Sequence, residues 1–186
     1  MFASGESLVV AEELPKGLTG TDGIGWYAIQ VKARCEKQVA QALENKGYEI
    51  FLPLQKSRRR WSDRYQEIAV PLFPSYVFGR FEVNNRLPIL TTPFVFSIVG
   101  AGKQIVPVEP EQIEAVRRLL ASGLPIYHSP FLKVGQNVII EGGPLRGQQG
   151  ILTRIKNTWR VVVSVDLIRQ SVAVEVDREH IRVING

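Results

Sequence analysis

The chain has 186 residues, 45% of them hydrophobic and 22% charged, with a formal net charge of +5. This is the composition of a folding chain with modest cores, long enough for one ordinary domain or two small ones. No apolar run reaches the roughly 20 residues of a membrane helix, and the stretch from Met1 to Gly25 has neither the basic start nor the apolar middle of a secretory signal, so a cytoplasmic protein without a membrane partner is expected. The single cysteine, Cys35, cannot form an internal disulfide, and with only His128 and His180 beside it no metal-ligand spacing exists. No set of His, Asp, Glu, Cys and Ser converges in the pattern of a catalytic site, so neither an enzyme nor a bound cofactor is expected.

Charge is unevenly distributed. Residues 1 to 25 carry one Lys against four acids, 26 to 70 nine basic residues against five acids, 71 to 130 five against four, and 131 to 186 eight against five. Positive potential is thus concentrated in two regions, which suits nucleic acid or an acidic protein surface.

Met1 to Gly25 is rich in Gly, Glu, Ser and Thr without periodicity and reads as a tail. Trp26 to Val31 alternates as a strand does, and a helix is expected from about Cys35 to Lys46, with Cys35, Val39, Ala42 and Leu43 on its apolar stripe and Gly47 as its stop. Lys37, Gln38 and Gln41 fall on the opposite face. A strand from Tyr48 to Leu54 and another around Gln66 to Val70 flank the polar connection Arg58-Arg59-Arg60-Trp61-Ser62-Asp63-Arg64, giving a long hairpin with a basic tip. In Pro71 to Phe78 two prolines bracket Phe73, which makes Leu72 to Pro74 an edge or turn before the next strand.

Short segments follow at Arg86 to Leu90 (helical), Val95 to Val99 and Gln104 to Val108 (strands). A helix over Pro110 to Ser122 buries Ile113, Val116, Leu119 and Leu120 and turns Arg117 and Arg118 outward. This mixture predicts an α+β domain over 26–122, an antiparallel sheet with helices. Gly123 to Pro130 is the expected linker. From 131 to 186 the texture changes to five short Val-rich segments, Asn137 to Ile140, Gly150 to Ile155, Trp159 to Val165, Ser171 to Val176 and Ile181 to Ile184, which predict a small all-β SH3-like barrel. In Gly142-Gly-Pro-Leu-Arg-Gly-Gln-Gln-Gly150 the glycines at 143, 147 and 150 supply positive-φ turns and close backbone approach, and Pro144 stiffens the loop.

That loop resembles the KOW motif. Trp26-Tyr27-Ala28, the helix after it, Pro53-Leu54 and Pro71-Leu-Phe-Pro-Ser-Tyr-Val-Phe78 occur in the order of a NusG N-terminal (NGN) domain placed before a KOW domain. The resemblance spans about Trp26 to Ile184. Leu54-Gln55-Lys56, Arg60-Trp61-Ser62-Asp63-Arg64 and Pro71-Leu72-Phe73-Pro74 are similar to the specialised RfaH, UpxY and LoaP-like antiterminators of polysaccharide and other long operons.

The resemblance implies a monomeric transcription elongation factor that suppresses pausing or termination. It maps Phe73, Tyr76 and Phe78 onto the surface gripping the clamp helices of the largest RNA polymerase subunit, and Asn85 and Arg86 onto the gate-loop contact, from whose usual residue types they depart. It places Lys32, Arg34, Lys37, Gln38 and Gln41 at the non-template DNA strand; the basic hairpin, Arg58, Arg59, Arg60, Trp61 and Arg64, suits upstream DNA or RNA through phosphate contacts and stacking. It assigns the Asp166 to Gln170 hairpin, with Ile168 and Arg169, to the ribosomal small subunit or Rho; Arg169 stands where NusG has glycine, which weakens the Rho assignment in particular. Solvated charge and core packing remain the bland readings of the basic and aromatic sets. The rival readings are a general NusG-type factor assisting Rho, and a KOW-type RNA-binding or ribosome-associated protein.

The alternating valines at 161, 163 and 165 and at 172, 174 and 176 predict a barrel rather than the helical hairpin that the RfaH C-terminal domain can adopt. The Pro/Gly linker permits docked or free domains.

Overall fold

The computed structural model describes residues 23–61, 64–101, 104–129, 135–155 and 158–184; the side chains of 58–61, 64–66, 101 and 154–155 lie outside the described set. Most of the expected tail falls outside it as well.

Strand β1 (Ile24–Val31) begins two residues before the expected start. Its interior positions from Trp26 to Ile29 are all buried, because both faces of the strand are covered. Tyr27, Ile29 and Val31 pack with Val39, Ala40 and Leu43 of helix α1 (Glu36–Asn45), whereas Trp26 and Ala28 belong to the cluster that holds Ile113, Val116 and Leu119 of the later helix α3 (Pro110–Ala121). Burial raises the pKa of the Tyr27 phenol above its ordinary value of 10.0. The neutral ring therefore contributes stability that is present below pH 10 and is lost as pH rises through the raised value.

The apolar stripe of α1 differs from the expected one. Glu36 and Ala40 are buried and Ala42 is only half-buried, because the helix packs through its 36, 39, 40 and 43 positions. Gly47, with φ of 87°, ends it. Strands β2 (Glu49–Phe51), β3 (Leu54–Trp61), β4 (Arg64–Pro71), β5 (Tyr76–Glu82) and β6 (Val95–Ile98) follow, with the single-turn helix α2 (Leu87–Leu90) before β6. The central sheet has the antiparallel order β2-β5-β1-β6. Strands β3 and β4 form a separate ribbon, and Arg58, Arg59 and Arg60 lie within β3, paired with Glu67, Gln66 and Tyr65, rather than in a loop. Two-residue strands β7 (Gly100–Ala101) and β8 (Gln104–Ile105) make a small hairpin, and Val108 donates its N–H to the Trp26 carbonyl at 2.7 Å.

The C-terminal part is the predicted β-sheet domain. Strands β9 (Ile126–Ser129), β10 (Gln136–Ile140), β11 (Gln149–Ile155), β12 (Thr158–Val165), β13 (Gln170–Glu175) and β14 (Ile181–Val183) lie in the antiparallel order β14-β10-β11-β12-β13-β9. Half of the stretch read as linker, Ile126–Ser129, is therefore a sixth strand, in which Tyr127 pairs with Ala173 and Ile126 with Val174. Val161, Val163, Val165, Val172 and Val174 share a buried cluster with Val138, Ile140 and Leu145. Full burial of each such side chain contributes about 1.5–3 kcal/mol.

Val162 and Ala173 face the other way and are buried too. Outside its own sheet β12 also lies against α3, whose Ile113 and Val116 share the cluster of Val161, Val163 and Val165. Gln112 of α3 pins the junction in both directions, donating Nε2–H to Asp166 Oδ2 at 3.3 Å and accepting from the Asp166 backbone N–H at 3.2 Å. The two domains are thus docked. A cleft of about 650 Å³ runs along the contact, lined by Glu111, Gln112 and Ala115 on one side and Asn137, Gln148 and Ser164 on the other.

In the glycine loop, Gly143 and Gly147 have φ of 71° and 85°, and Gly150 serves close approach instead. A Cβ at Gly150 would stand 2.6 Å from the Val162 carbonyl oxygen, whereas at Gly147 it would meet nothing within 4 Å. Gly150→Ala should therefore destabilise the protein by about 1–3 kcal/mol through overpacking. Gly147→Ala should cost about 1–2 kcal/mol of left-handed strain alone. Urea unfolding of the two variants measures both, and Gly150→Ala should additionally perturb backbone amide shifts across β11 and β12.

Candidate functional site

Irregular backbone gathers at one end of the central sheet, where β1 ends and β5 and β6 begin. Arg34, Ser75 and Phe94 all have positive φ, at 69°, 67° and 71°; among the described residues the other non-glycine case is Arg169 in the barrel, at 51°. Such conformations cost an L-residue roughly 1–2 kcal/mol each and persist where the surrounding structure holds them.

The holding bonds are visible. Val31 donates its N–H to the Ser75 carbonyl at 2.9 Å, Lys32 donates to the Phe94 carbonyl at 2.9 Å, and Cys35 donates to the Lys32 carbonyl at 3.0 Å. Glu36, in the first turn of α1, is only 4% exposed, and its Oε1 accepts the Ser75 backbone N–H at 2.9 Å. A carboxylate there also suits the positive end of the helix dipole. This bond ties the start of α1 to the proline-bracketed turn at Phe73-Pro74-Ser75.

The aromatic set divides. Phe73 and Phe78 are 1% and 0% exposed and meet edge to face with centroids 5.9 Å apart, while Phe51 lies 6.2 Å from Phe78. In this arrangement both rings are packing residues. Tyr76 is half-buried and is the member of the set that reaches the surface. Asn85 and Arg86 are exposed in the turn before α2, and the Arg86 guanidinium donates to the Val83 carbonyl at 3.2 Å.

The basic set at α1 lies where the sequence placed it. Lys32, Arg34, Lys37, Gln38 and Gln41 are all exposed, with Gln41 bonded to Asn45 at 3.2 Å. The backbone of Arg58 to Trp61 and of Arg64 is strand, but the contact roles expected of these side chains lie outside the described residues. In the barrel hairpin Ile168 is buried in the cluster of valines, so it packs inward rather than offering an apolar tip, while Arg169 is exposed.

Two residues read differently from their sequence positions. Glu36 was not singled out in the sequence, yet it is buried and bonded to the Ser75 N–H. Arg117 was expected to face outward, yet its guanidinium lies 5.0 Å over the Trp26 ring and 5.1 Å over Phe51, with Glu114 at 2.8 Å and Glu49 at 3.6 Å. No hydrophobic pattern distinguishes a stacked arginine from a solvated one.

The described residues thus comprise an α+β domain with a strained, basic-flanked turn at one end of its sheet, followed by a KOW-type β-sheet domain. A family profile described as transcription termination factor nusG matches residues 25–117, half of the chain, and the protein belongs to the NusG family. It is similar to the transcription termination/antitermination protein NusG of Thermus thermophilus, 26% identical over 178 residues that cover 83% of this chain and 95% of that one. The protein of the same name from Halalkalibacterium halodurans is 21% identical over 158 residues, covering 81% and 89%. In fold it resembles a solved structure titled "Domain interaction in Thermotoga maritima NusG", with a TM-score of 0.54, 24% identity, and 87% and 98% of the two chains covered. Among the described residues no helix is long and apolar enough to cross a membrane.

Replacing Glu36 by Ala removes the acceptor for the half-buried Ser75 N–H and should cost about 1–3 kcal/mol in urea unfolding. Ser75→Gly, which relieves the positive φ, should be tolerated and should recover part of that loss in the double variant.

Proposed function

We propose that this protein is a transcription elongation and antitermination factor that binds bacterial RNA polymerase at the clamp helices and suppresses pausing or termination, on specific long operons such as those for polysaccharide synthesis. The observation that carries the reading is the junction in which Glu36 ties the aromatic turn to the basic start of α1. A surface gripping polymerase and a surface touching DNA are then held in fixed relation. Binding the closed clamp better than the open one shifts the polymerase away from its paused state, and no covalent step is needed.

In this reading Tyr76 is the accessible clamp anchor, with Phe73 and Phe78 setting its position from beneath. Asn85 and Arg86, exposed before α2, would make the second polymerase contact. Lys32, Arg34, Lys37, Gln38 and Gln41 face the displaced non-template strand, and the β3–β4 ribbon with Arg58, Arg59, Arg60, Trp61 and Arg64 meets upstream nucleic acid. Arg169 is the exposed residue through which the barrel would meet the ribosomal small subunit or Rho; Ile168 supports it from the core. The word termination in the names of the relatives favours a second reading, a general factor assisting Rho, which differs in partner and not in polymerase binding.

Tyr76→Ala should keep its fold and lose about 2 kcal/mol or more of affinity for isolated clamp helices, as a hot-spot anchor does. Phe73→Ala or Phe78→Ala should instead cost about 3–5 kcal/mol of stability. Undiminished clamp binding by folded Tyr76→Ala, in a pull-down checked by circular dichroism, would remove it from the interface.

If Arg58, Arg59 and Arg60 each contact a phosphate, their joint replacement by Ala should lower the salt slope of binding to an elongation complex by about 3 units. An unaltered slope would return them to solvent. On the function as a whole, the full-length protein should shorten pauses of a reconstituted elongation complex, and a bound protein that leaves pausing and termination unchanged would refute the proposal.

A further inference from the structure

We propose that the segment from Glu6 to Glu13, in the part of the chain before Gly23, docks on the open edge of β6. Leu8 to Ala11 cover Phe94 and Phe96, and the flanking acids meet Lys32, Arg34 and Lys37. The segment is then an internal competitor for any strand or polyanion drawn to that face. The docking does not rest on the function proposed above.

The surface calls for a cover. Strand β6 is the edge of its sheet, with β1 on one side and no described strand on the other. Phe96 is 65% exposed and Phe94 38%, and α2, which lies against β6, leaves Leu87 69% exposed. The register of β6 on β1 slips between the Gln30 to Ser97 and Val31 to Val95 pairs, so Phe96 sits at a bulge with no residue opposite it. Phe94 has a positive φ, rare for a bulky residue, and its carbonyl accepts the Lys32 N–H. A strand edge that carries large apolar side chains invites another chain to pair with it, and folded proteins cover such edges or place charges on them. Strand β6, Val-Phe-Ser-Ile, has no charge of its own.

The chain carries a matching segment. Leu8-Val9-Val10-Ala11 is an apolar run with β-branched valines, bracketed by Glu6 on one side and Glu12-Glu13 on the other. Residues 1 to 22 hold four acids against one Lys. Beside the edge, Lys32 Nζ lies 5.8 Å from the Phe94 ring centroid, Arg34 and Lys37 are exposed, and the neighbouring Glu36 is buried and committed to the Ser75 N–H. Acids at both ends of the run let either direction along β6 bring a carboxylate to those cations. The reach suffices as well. From Ile24 to Val31 is about 23 Å along β1, and the eleven residues between Ala11 and Gly23 extend to about 36 Å. A tethered segment is present at an effective concentration in the millimolar range, which favours it over a strand from outside.

The test uses the full-length chain, with Ser7→Cys to carry a nitroxide and Cys35→Ser to remove the native thiol, a favourable exchange at the residue that caps α1. Paramagnetic broadening of backbone amides should be greatest at Lys32, Phe94, Phe96 and Ser97. Val9→Ser with Val10→Ser, which leaves the charge unchanged, should abolish that maximum. Without the nitroxide, the same two substitutions should tighten the binding of a fluorescent single-stranded DNA of about 15 nucleotides about tenfold. That is the gain from removing a competitor at an effective concentration of about 1 mM with a dissociation constant of about 0.1 mM.

Broadening that is greatest around Asn84, beside the anchor at Gly23, overturns the proposal, because a segment with no docking place samples the surface around its own root most. So does broadening at β6 that survives the two serine substitutions. Broadening that appears only when isotope-labelled and nitroxide-bearing chains are mixed would make the edge an interface between copies and overturns it too. Equal DNA affinity of the serine variant and the wild type overturns the role as competitor. Failure of both proteins to bind DNA or polymerase counts against the function proposed above, and the broadening pattern then decides the docking on its own.

Discussion

The architecture depends on the burial of β1 on both faces. Trp26 and Ala28 point to one side, Tyr27, Ile29 and Val31 to the other, and neither set can be left in water without losing on the order of 25 cal/mol per Å² of apolar surface. One helix has to lie on each side, and the chain provides α1 immediately and α3 some eighty residues later. Once α1 is fixed against β1, its first turn falls beside the start of β5, and Glu36 reaches the Ser75 N–H. The strained turn at one end of the sheet is thus a consequence of how its middle is packed.

Helix α3 has a second partner. Ile113, Val116 and Leu119 cover the sheet, while Gln112 bonds to Asp166 of the barrel. The hairpin that begins at Asp166 also carries Arg169, the residue assigned to an outside partner. A contact made of one amide and one carboxylate at an exposed edge is modest, since hydrogen bonds contribute about 0.5–1.5 kcal/mol net. Ile113, Ala115 and Val116 of α3 also share one buried cluster with Val161, Val163 and Val165 of β12, which adds the apolar part of the contact.

Much of this was legible in the sequence. The two domains followed from a change of hydrophobic period, and the valine alternation at 161–165 and 172–176 named the barrel strands that the structure contains. The exposed face of α1 was read correctly at Lys37, Gln38 and Gln41 because a helix rotates residues by a fixed angle. What was hidden depends on tertiary neighbours. Period alone could not show that Glu36 is buried, that Arg117 stacks on Trp26, or that Ile168 folds inward. The bulge exposing Phe96 is a relation between two strands and leaves no mark on either one. Pro125 suggested a linker, but the residues after it, Ile126 and Tyr127, have the β propensity to join a sheet that offers them an edge.

That sixth strand shortens the leash between the domains. With α3 ending at Ala121 and β9 beginning at Ile126, only the four residues from Ser122 to Pro125 connect them. Fully extended they span about 14 Å. A barrel released from α3 therefore remains within a few nanometres of the surface it left, at an effective concentration in the millimolar range or above. Redocking is a local, concentration-independent event. A partner that holds the barrel away must compete with that standing concentration, and peeling β9 from β13 is the way the chain itself offers to lengthen the tether.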